Sequence, residues 1–273
     1  MAIAPARADR PGAARPALEA PSPEELASCP FCAGHEHMTP PQTLVLPAEG
    51  DWKVRVVPNL YPALERQEVV VHSPEHIRTI AELGDDRLGL VAEAWRLRRQ
   101  AEPGGYLHAL VNEGREAGAS RPHSHSQLAW LPSGSEPEPD RDGETILERD
   151  GLIAWCPRVS RMPYESAVAP VTGEPDGFDS DLLAPALRIL AELVRRLRAL
   201  EGPVPLNAWL HNHERCATGR PERRAAYASC TSEPPRCDFV SRNRRAASIA
   251  APRLSPLSLA CLISMTVSRA SMS

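Results

Sequence analysis

Hydrophobic and polar positions alternate in short runs through the first half of the chain. Thr43–Leu46, Lys53–Val57 and Glu68–His72 read as strands. Over Asp85–Glu102 the period lengthens, with Leu88, Val91, Trp95 and Leu97 apolar among charges, which predicts a helix. Pro103-Gly104-Gly105 stops it. Tyr106–Val111 and Gln127–Leu131 read as further strands, and Pro132–Asp142 is an acidic, proline-rich loop.

The same order of elements then repeats. Asp51–Pro58 and Asp150–Pro157 both read as strands ending at proline, 99 residues apart. A second strand follows each (Glu68–His72; Tyr164–Ala169), then a long helix (Asp85–Glu102; Leu182–Glu201), then a third strand (Tyr106–Val111; Leu206–His211). This order predicts an internally duplicated α+β module. The expected divisions are an extended Pro/Ala/Arg-rich arm over 1–27, a first unit over 28–142, a partial second unit over 143–213 and an atypical tail over 214–273. Leu183, Leu187, Leu190, Val194 and Leu197 share a helical stripe and are expected in the core.

Composition narrows the class. With 273 residues, 42% hydrophobic and 24% charged, the chain is long enough for a substantial core and reads as soluble and globular. The net charge of −4 argues against nucleic acid or an anionic membrane as the main partner. No run of 18 apolar residues and no apolar N-terminal segment occur, so a cytoplasmic location is expected. Basic residues are almost all Arg, with Lys53 the single lysine, and prolines number 29; this is read as a coding bias. The seven cysteines form no disulfide-scaffold density, so close pairs are read first as metal ligands.

The tail differs. Residues 214–273 hold ten Arg, four acidic residues, ten Ser and four of the seven Cys, with no histidine and no clear period. It reads as a disordered tail, or as the product of a reading-frame shift near residue 212. Translating the other two frames of the coding DNA tests the second; no restored histidine-rich strand would sink it.

Two local patterns carry chemistry. In Pro122-His123-Ser124-His125-Ser126-Gln127 a strand's period of two puts His123, His125 and Gln127 on one face, about 7 Å apart in successive steps. Surface histidines on an exposed strand are the plain alternative. Cys29-Pro30-Phe31-Cys32 is a knuckle that lets two thiolates reach one ion. A redox pair or two buried thiols are its alternatives, although a redox C-x-x-C has a strand before it and a helix after it. As a metal site it needs two more ligands, from among His35, His37, His72, His76, His108 and His123. His35, His37 and His72 otherwise read as surface residues, and His211 and His213 as an incidental pair.

These patterns, with Pro58-Asn59-Leu60-Tyr61-Pro62-Ala63-Leu64, Ser73-Pro74-Glu75-His76 and Gly118-Ala119-Ser120, closely resemble the galactose-1-phosphate uridylyltransferase family of the HIT-like nucleotidyltransferase superfamily. The resemblance covers about residues 5 to 211. It implies two tandem HIT-like units with antiparallel sheets and flanking helices, the second incomplete. It implies a structural zinc held by Cys29, Cys32, His76 and His123. His125 matches the nucleophile that forms a nucleotidyl-histidine, and Gln127 a residue that hydrogen-bonds the transferred phosphoryl oxygens. Asn112, Gly118, Ala119 and Ser120 match phosphate and nucleotide contacts, Asn59 and Leu60 the uridine site, and Arg7 and Arg10 an N-terminal nucleotide contact. Glu148 and His211 lie near a second metal position of some members. The implied activity is transfer of UMP between a UDP-sugar and a sugar 1-phosphate, as in galactose metabolism, by a homodimer. A related branch acts on ADP-sugars.

The second half departs from the pattern. Adding the 99-residue offset to His123 reaches Glu222, and no histidine follows His213. Closing strands of the second unit are therefore expected to be absent or unrecognisable, and with a frame shift near residue 212 its sheet edge is expected to be bare. A zinc-stabilised nucleotide-binding protein without turnover is the rival from outside enzyme chemistry.

Overall fold

The computed structural model describes residues 20–102, 104–131, 142–160, 162–172, 177–211 and 262–267. Arg7 and Arg10, and all of the tail except 262–267, lie outside the described residues.

Ser22 starts the first helix, α1 (Pro23–Ser28): its hydroxyl accepts from the Glu25 amide at 3.1 Å, and Pro23 sits where a missing N–H is harmless. The strands are β1 (Leu44–Leu46), β2 (Val54–Pro58), β3 (Arg66–Val71), β4 (Tyr106–Glu113), β5 (His125–Leu131), β6 (Gly143–Arg149), β7 (Leu152–Pro157), β8 (Ser166–Pro170), β9 (Leu206–His211) and β10 (Leu262–Val267). Two long helices, α2 (Asp85–Ala101) and α3 (Leu183–Glu201), occupy the stretches where the apolar period lengthens. In α2 the buried positions are Leu88, Val91, Ala92, Ala94, Trp95 and Arg99, and Leu97 falls off that face. Arg99 donates to the carbonyl of Gly105 at 3.2 Å, holding the chain reversal that follows the helix. The α3 stripe from Leu183 to Val194 and Leu197 is buried as expected.

Among the described residues the ten strands form one sheet in the order β1-β2-β3-β5-β4-β9-β10-β8-β7-β6, antiparallel at every pairing. The fold is mixed α/β, and the separate sheets expected for two units are here a single continuous one. The two halves meet at β4 and β9, where Asn112 faces Asn207. Read outward from that seam, each half has the same order of elements.

The expectation of a bare edge after β9 is corrected. β10, from within the atypical tail, lies between β9 and β8 and pairs with both. Ile263, Met265 and Val267 are buried in the main core. β6 was also not anticipated: it is an end strand with mostly exposed or half-exposed side chains, and its sequence carries little alternation.

Strand alternation sorts the sheet into two faces. Leu107, Ala109, Val111, Leu128, Leu206, Ala208 and Leu210 join the helices in one core. The intervening residues, His108, Leu110, Asn112, His125, Gln127, Asn207 and Trp209, therefore lie on the opposite face. Among the described residues no helix is long and apolar enough to cross a membrane.

Candidate functional site

Four side chains from three chain segments converge beside the start of β5. Cys29, Cys32, His76 and His123 bring one ligand atom each to within 4.8 Å of all the others. His123 Nδ1 lies 3.4 Å from Cys29 Sγ and 3.7 Å from Cys32 Sγ, and His76 Nδ1 lies 3.2 Å from Cys32 Sγ. Edges of about 3.5 Å are what a tetrahedral ion with thiolate and imidazole ligands requires. The outer nitrogens fix the tautomers: His76 Nε2 donates to Glu25 Oε1 at 2.8 Å and His123 Nε2 to the Ser73 carbonyl at 2.9 Å. Both rings thus turn a lone pair on Nδ1 toward the thiols, as ligands must. Burial, and then the neighbouring Cys29, push the Cys32 thiol up to about 12, an arrangement that a cation between the sulfurs would relieve. The cluster could hold a metal ion.

The knuckle is held and used by its neighbours. Buried Arg55 donates to the Pro30 carbonyl at 2.8 Å and to Thr39 at 2.9 Å. Phe31, inside the knuckle, packs its ring 5.9 Å from His123 and 5.4 Å from His125. The Cys/His cluster and the ring of His125 therefore share one aromatic wall.

His125 is 5% exposed. Its Nδ1 lies 2.7 Å from the His123 carbonyl, which can only accept, so the ring proton sits on Nδ1 and Nε2 carries the lone pair. Burial lowers its basicity, keeping the ring neutral at neutral pH. The neighbours of His125 on both sides are gripped from below by His72, with Nδ1 3.0 Å from Ser124 Oγ and Nε2 3.0 Å from Ser126 Oγ. Trp95 of α2 donates to the same Ser126 hydroxyl at 2.9 Å. His72 is fully buried, which corrects its reading as a surface residue. Burial and the nearby His125 and His123 hold it well below the ordinary histidine range.

Polar side chains share the sheet face of His125. Gln127 is two residues along β5 on the same face as His125. Asn112 comes one step beyond the Val111–Ser126 pairing and so stands beside His125 on β4. Gln67 of β3 donates to the Gln127 side-chain oxygen, and Asn207 of β9 donates to Asn112 Oδ1 at 2.8 Å. Neither Gln67 nor Asn207 stood out in the sequence, since each signal is a partner 60 or 95 residues away.

Two loops frame this face. Asn59, whose amide donates to the Gln67 carbonyl at 2.9 Å, begins a loop in which Leu60 is 58% and Tyr61 85% exposed. Gly114 to Ala119 make a compact turn, where Gly118 has φ +87°, a conformation that favours glycine. The amides of Ala117, Gly118 and Ala119 donate to the carbonyls of Gly114 and Arg115 within the turn. These three amides are engaged within the turn, and Ser120 is exposed beside them. In the sheet order β10, β8 and β7 lie between β9, which ends at His211, and β6, which carries Glu148. His37 is exposed, and His35 is half-buried with Nδ1 2.7 Å from the Cys29 carbonyl.

Residues 62–132 match the family model of the galactose-1-phosphate uridyl transferase N-terminal domain. The ADP-glucose phosphorylase of Arabidopsis thaliana is 32% identical over 158 residues, 48% of this chain and 45% of that protein. The chain thus spans about half the length of this curated relative. A galt-like protein of Arabidopsis thaliana has the same fold at a TM-score of 0.66 and 19% identity, over 88% of this chain and 82% of that one. An ADP-glucose phosphorylase of the same plant, crystallised with bound ADP-glucose, matches at 0.66 and 19%, over 97% and 84%. A uridylyltransferase mutant matches at 0.57 and 18%, over 89% and 82%.

Proposed function

We propose, from the match of residues 62–132 to the galactose-1-phosphate uridyl transferase N-terminal domain, that this chain transfers a nucleotidyl group from a nucleoside-diphosphate sugar through a covalent adduct on His125. The observation that carries this reading is the fixed tautomer of His125, which leaves the lone pair on Nε2 of a ring that shares its sheet face with Gln127 and Asn112. Nε2 attacks the α-phosphorus, the bond to the bridging oxygen breaks, and the sugar 1-phosphate leaves with that electron pair. An acceptor phosphate oxygen then attacks the same phosphorus, and the pair in the N–P bond returns to Nε2.

The residues around the ring have matching roles. The amides of Gln127 and Asn112 donate to the phosphoryl oxygens, joined by the Ser120 hydroxyl, so charge is stabilised without a catalytic ion. Gly118 allows the turn to approach the phosphates, with Ala119 beside it. Asn59 and Leu60 flank the nucleoside, with Arg7 and Arg10 contributing from outside the described residues. Cys29, Cys32, His76 and His123 would hold a zinc with an architectural function, and His123, so anchored, orients His125 through its carbonyl.

The sugar nucleotide has two readings. The family match favours a UDP-hexose with a sugar 1-phosphate acceptor, as first expected. The relative at 32% identity, an ADP-glucose phosphorylase, favours ADP-glucose with inorganic phosphate as acceptor. Incubation with α-labelled UDP-glucose or ADP-glucose separates them by which one labels the protein. The two halves of the chain are, on this reading, repeats; their mirrored strand order supports it, and β10 then takes the place that β5 holds in the first.

A further inference from the structure

We infer that Gln67 and Asn207 are positioning residues that fix which end of Gln127 and of Asn112 faces the substrate. The inference rests on the nucleotide site proposed above and adds the device that sets its polarity.

An amide side chain presents a donor at one end and an acceptor at the other. Beside a phosphate only the NH2 end is useful, because the carbonyl end would face the anion with its own negative dipole. Free rotation exchanges the two. Here each choice is anchored to a backbone group that has no choice. The Ala63 amide can only donate, and it lies 2.9 Å from Gln67 Oε1. That end of Gln67 is therefore oxygen, and the other end, Nε2, donates to the Gln127 oxygen. With its oxygen committed, Gln127 keeps its NH2 for the open face.

The second arm reaches the same result from the opposite direction. The Ala117 carbonyl can only accept, and Asn207 Nδ2 donates to it at 2.8 Å. The second hydrogen of that Nδ2 goes to Asn112 Oδ1, also at 2.8 Å. Asn112 Nδ2 is left over, close to the turn: a Cβ on Gly118 would lie 3.9 Å from it. Two NH2 groups thus stand on either side of His125, one along β5 and one across on β4, both directed by partners outside the sequence motif. Together they suit the charged oxygens of a nucleoside diphosphate and do nothing for an uncharged nucleoside.

Calorimetric titration of the full chain with UDP, ADP, uridine and adenosine tests this. Gln67→Met should weaken the preferred diphosphate about tenfold, the scale of a hydrogen bond to a charged group, and leave the nucleoside unchanged. In a Gln127→Met background the same substitution should have no further effect, because the partner it acts through is gone. Asn207→Leu should behave likewise against Asn112→Leu. Should Gln67→Met fail to fold, the side-chain amide protons of Gln67 report the same bond. Their exchange with solvent should quicken in Gln127→Met, and unchanged exchange would contradict the lock. Equal diphosphate affinity in Gln67→Met, parallel loss of nucleoside affinity, or additive losses in the double variant would each overturn the inference while leaving the nucleotide site standing. A wild-type chain that binds no nucleoside diphosphate overturns both.

Discussion

Two constraints act on the ring of His125: burial removes the solvent that would stabilise its cation, and the His123 carbonyl fixes the proton on Nδ1. Positioning then depends on residues that touch no substrate. His72 is one, since it ties Ser124 and Ser126 and with them the backbone on both sides of the ring. Its replacement, His72→Leu, leaves buried hydroxyls short of a partner and should lower stability by about 1–3 kcal/mol in urea unfolding. A change near zero would show that the contacts are incidental. Gly118→Ala meets no steric obstacle but keeps φ at +87°, so strain alone should account for a loss of about 1–2 kcal/mol. At this scale the sequence displayed the histidines of β5 and the cysteine knuckle, because their chemistry is written in adjacent residues. It concealed His72, Gln67 and Asn207, which look like ordinary polar strand residues until β3, β5, β4 and β9 are side by side.

Among the elements, α1 is short yet chemically consequential. It presents Glu25 to the outer nitrogen of His76 and to Arg78. The Ser-Pro-Glu-Glu run that starts it is a readable helix signal within the Pro/Ala/Arg-rich stretch that otherwise reads as an extended arm. Glu25→Ala should reduce metal affinity about 10–100-fold by freeing the His76 ring, measurable by competition with a chromophoric chelator. Unchanged affinity would remove Glu25 from the metal site. Helices α2 and α3 were legible because an apolar face recurs over four or five turns. Leu97, off that face, is half-buried. β6 has too few alternating positions to register, and β10 lies in a segment whose composition points away from folded structure.

For the whole molecule, a continuous sheet makes distant segments interdependent. β10 pairs β9 with β8, so removing residues 212–273 opens two strand edges within the sheet. The shortened chain should lose its cooperative thermal transition or associate, as seen by circular dichroism and size exclusion; an unchanged monomeric melt would show that β10 is dispensable. Glu113, at the end of β4, is buried with its carboxyl accepting from Thr79 and from the Ile80 amide at 2.6 Å each. Burial pushes it up to about 7, with the two hydrogen bonds and Arg198 opposing. In the unfolded chain it titrates near about 4.3. The folded state thus retains a proton that the unfolded state releases, and the associated stability is full below that lower value and is lost as pH rises through about 7. The melting temperature of wild type should therefore fall relative to Glu113→Gln between about pH 5 and 8. Parallel curves would place the carboxyl elsewhere on the pH scale.

The central claim, a nucleotidyl group carried on one imidazole nitrogen, is tested most directly by intact-protein mass spectrometry after brief incubation with UDP-glucose or ADP-glucose. Wild type should gain the mass of a single uridylyl or adenylyl group, released in acid, and His125→Asn should gain none. An equal gain on His125→Asn, or no gain with either sugar nucleotide on metal-loaded wild type, would contradict the account.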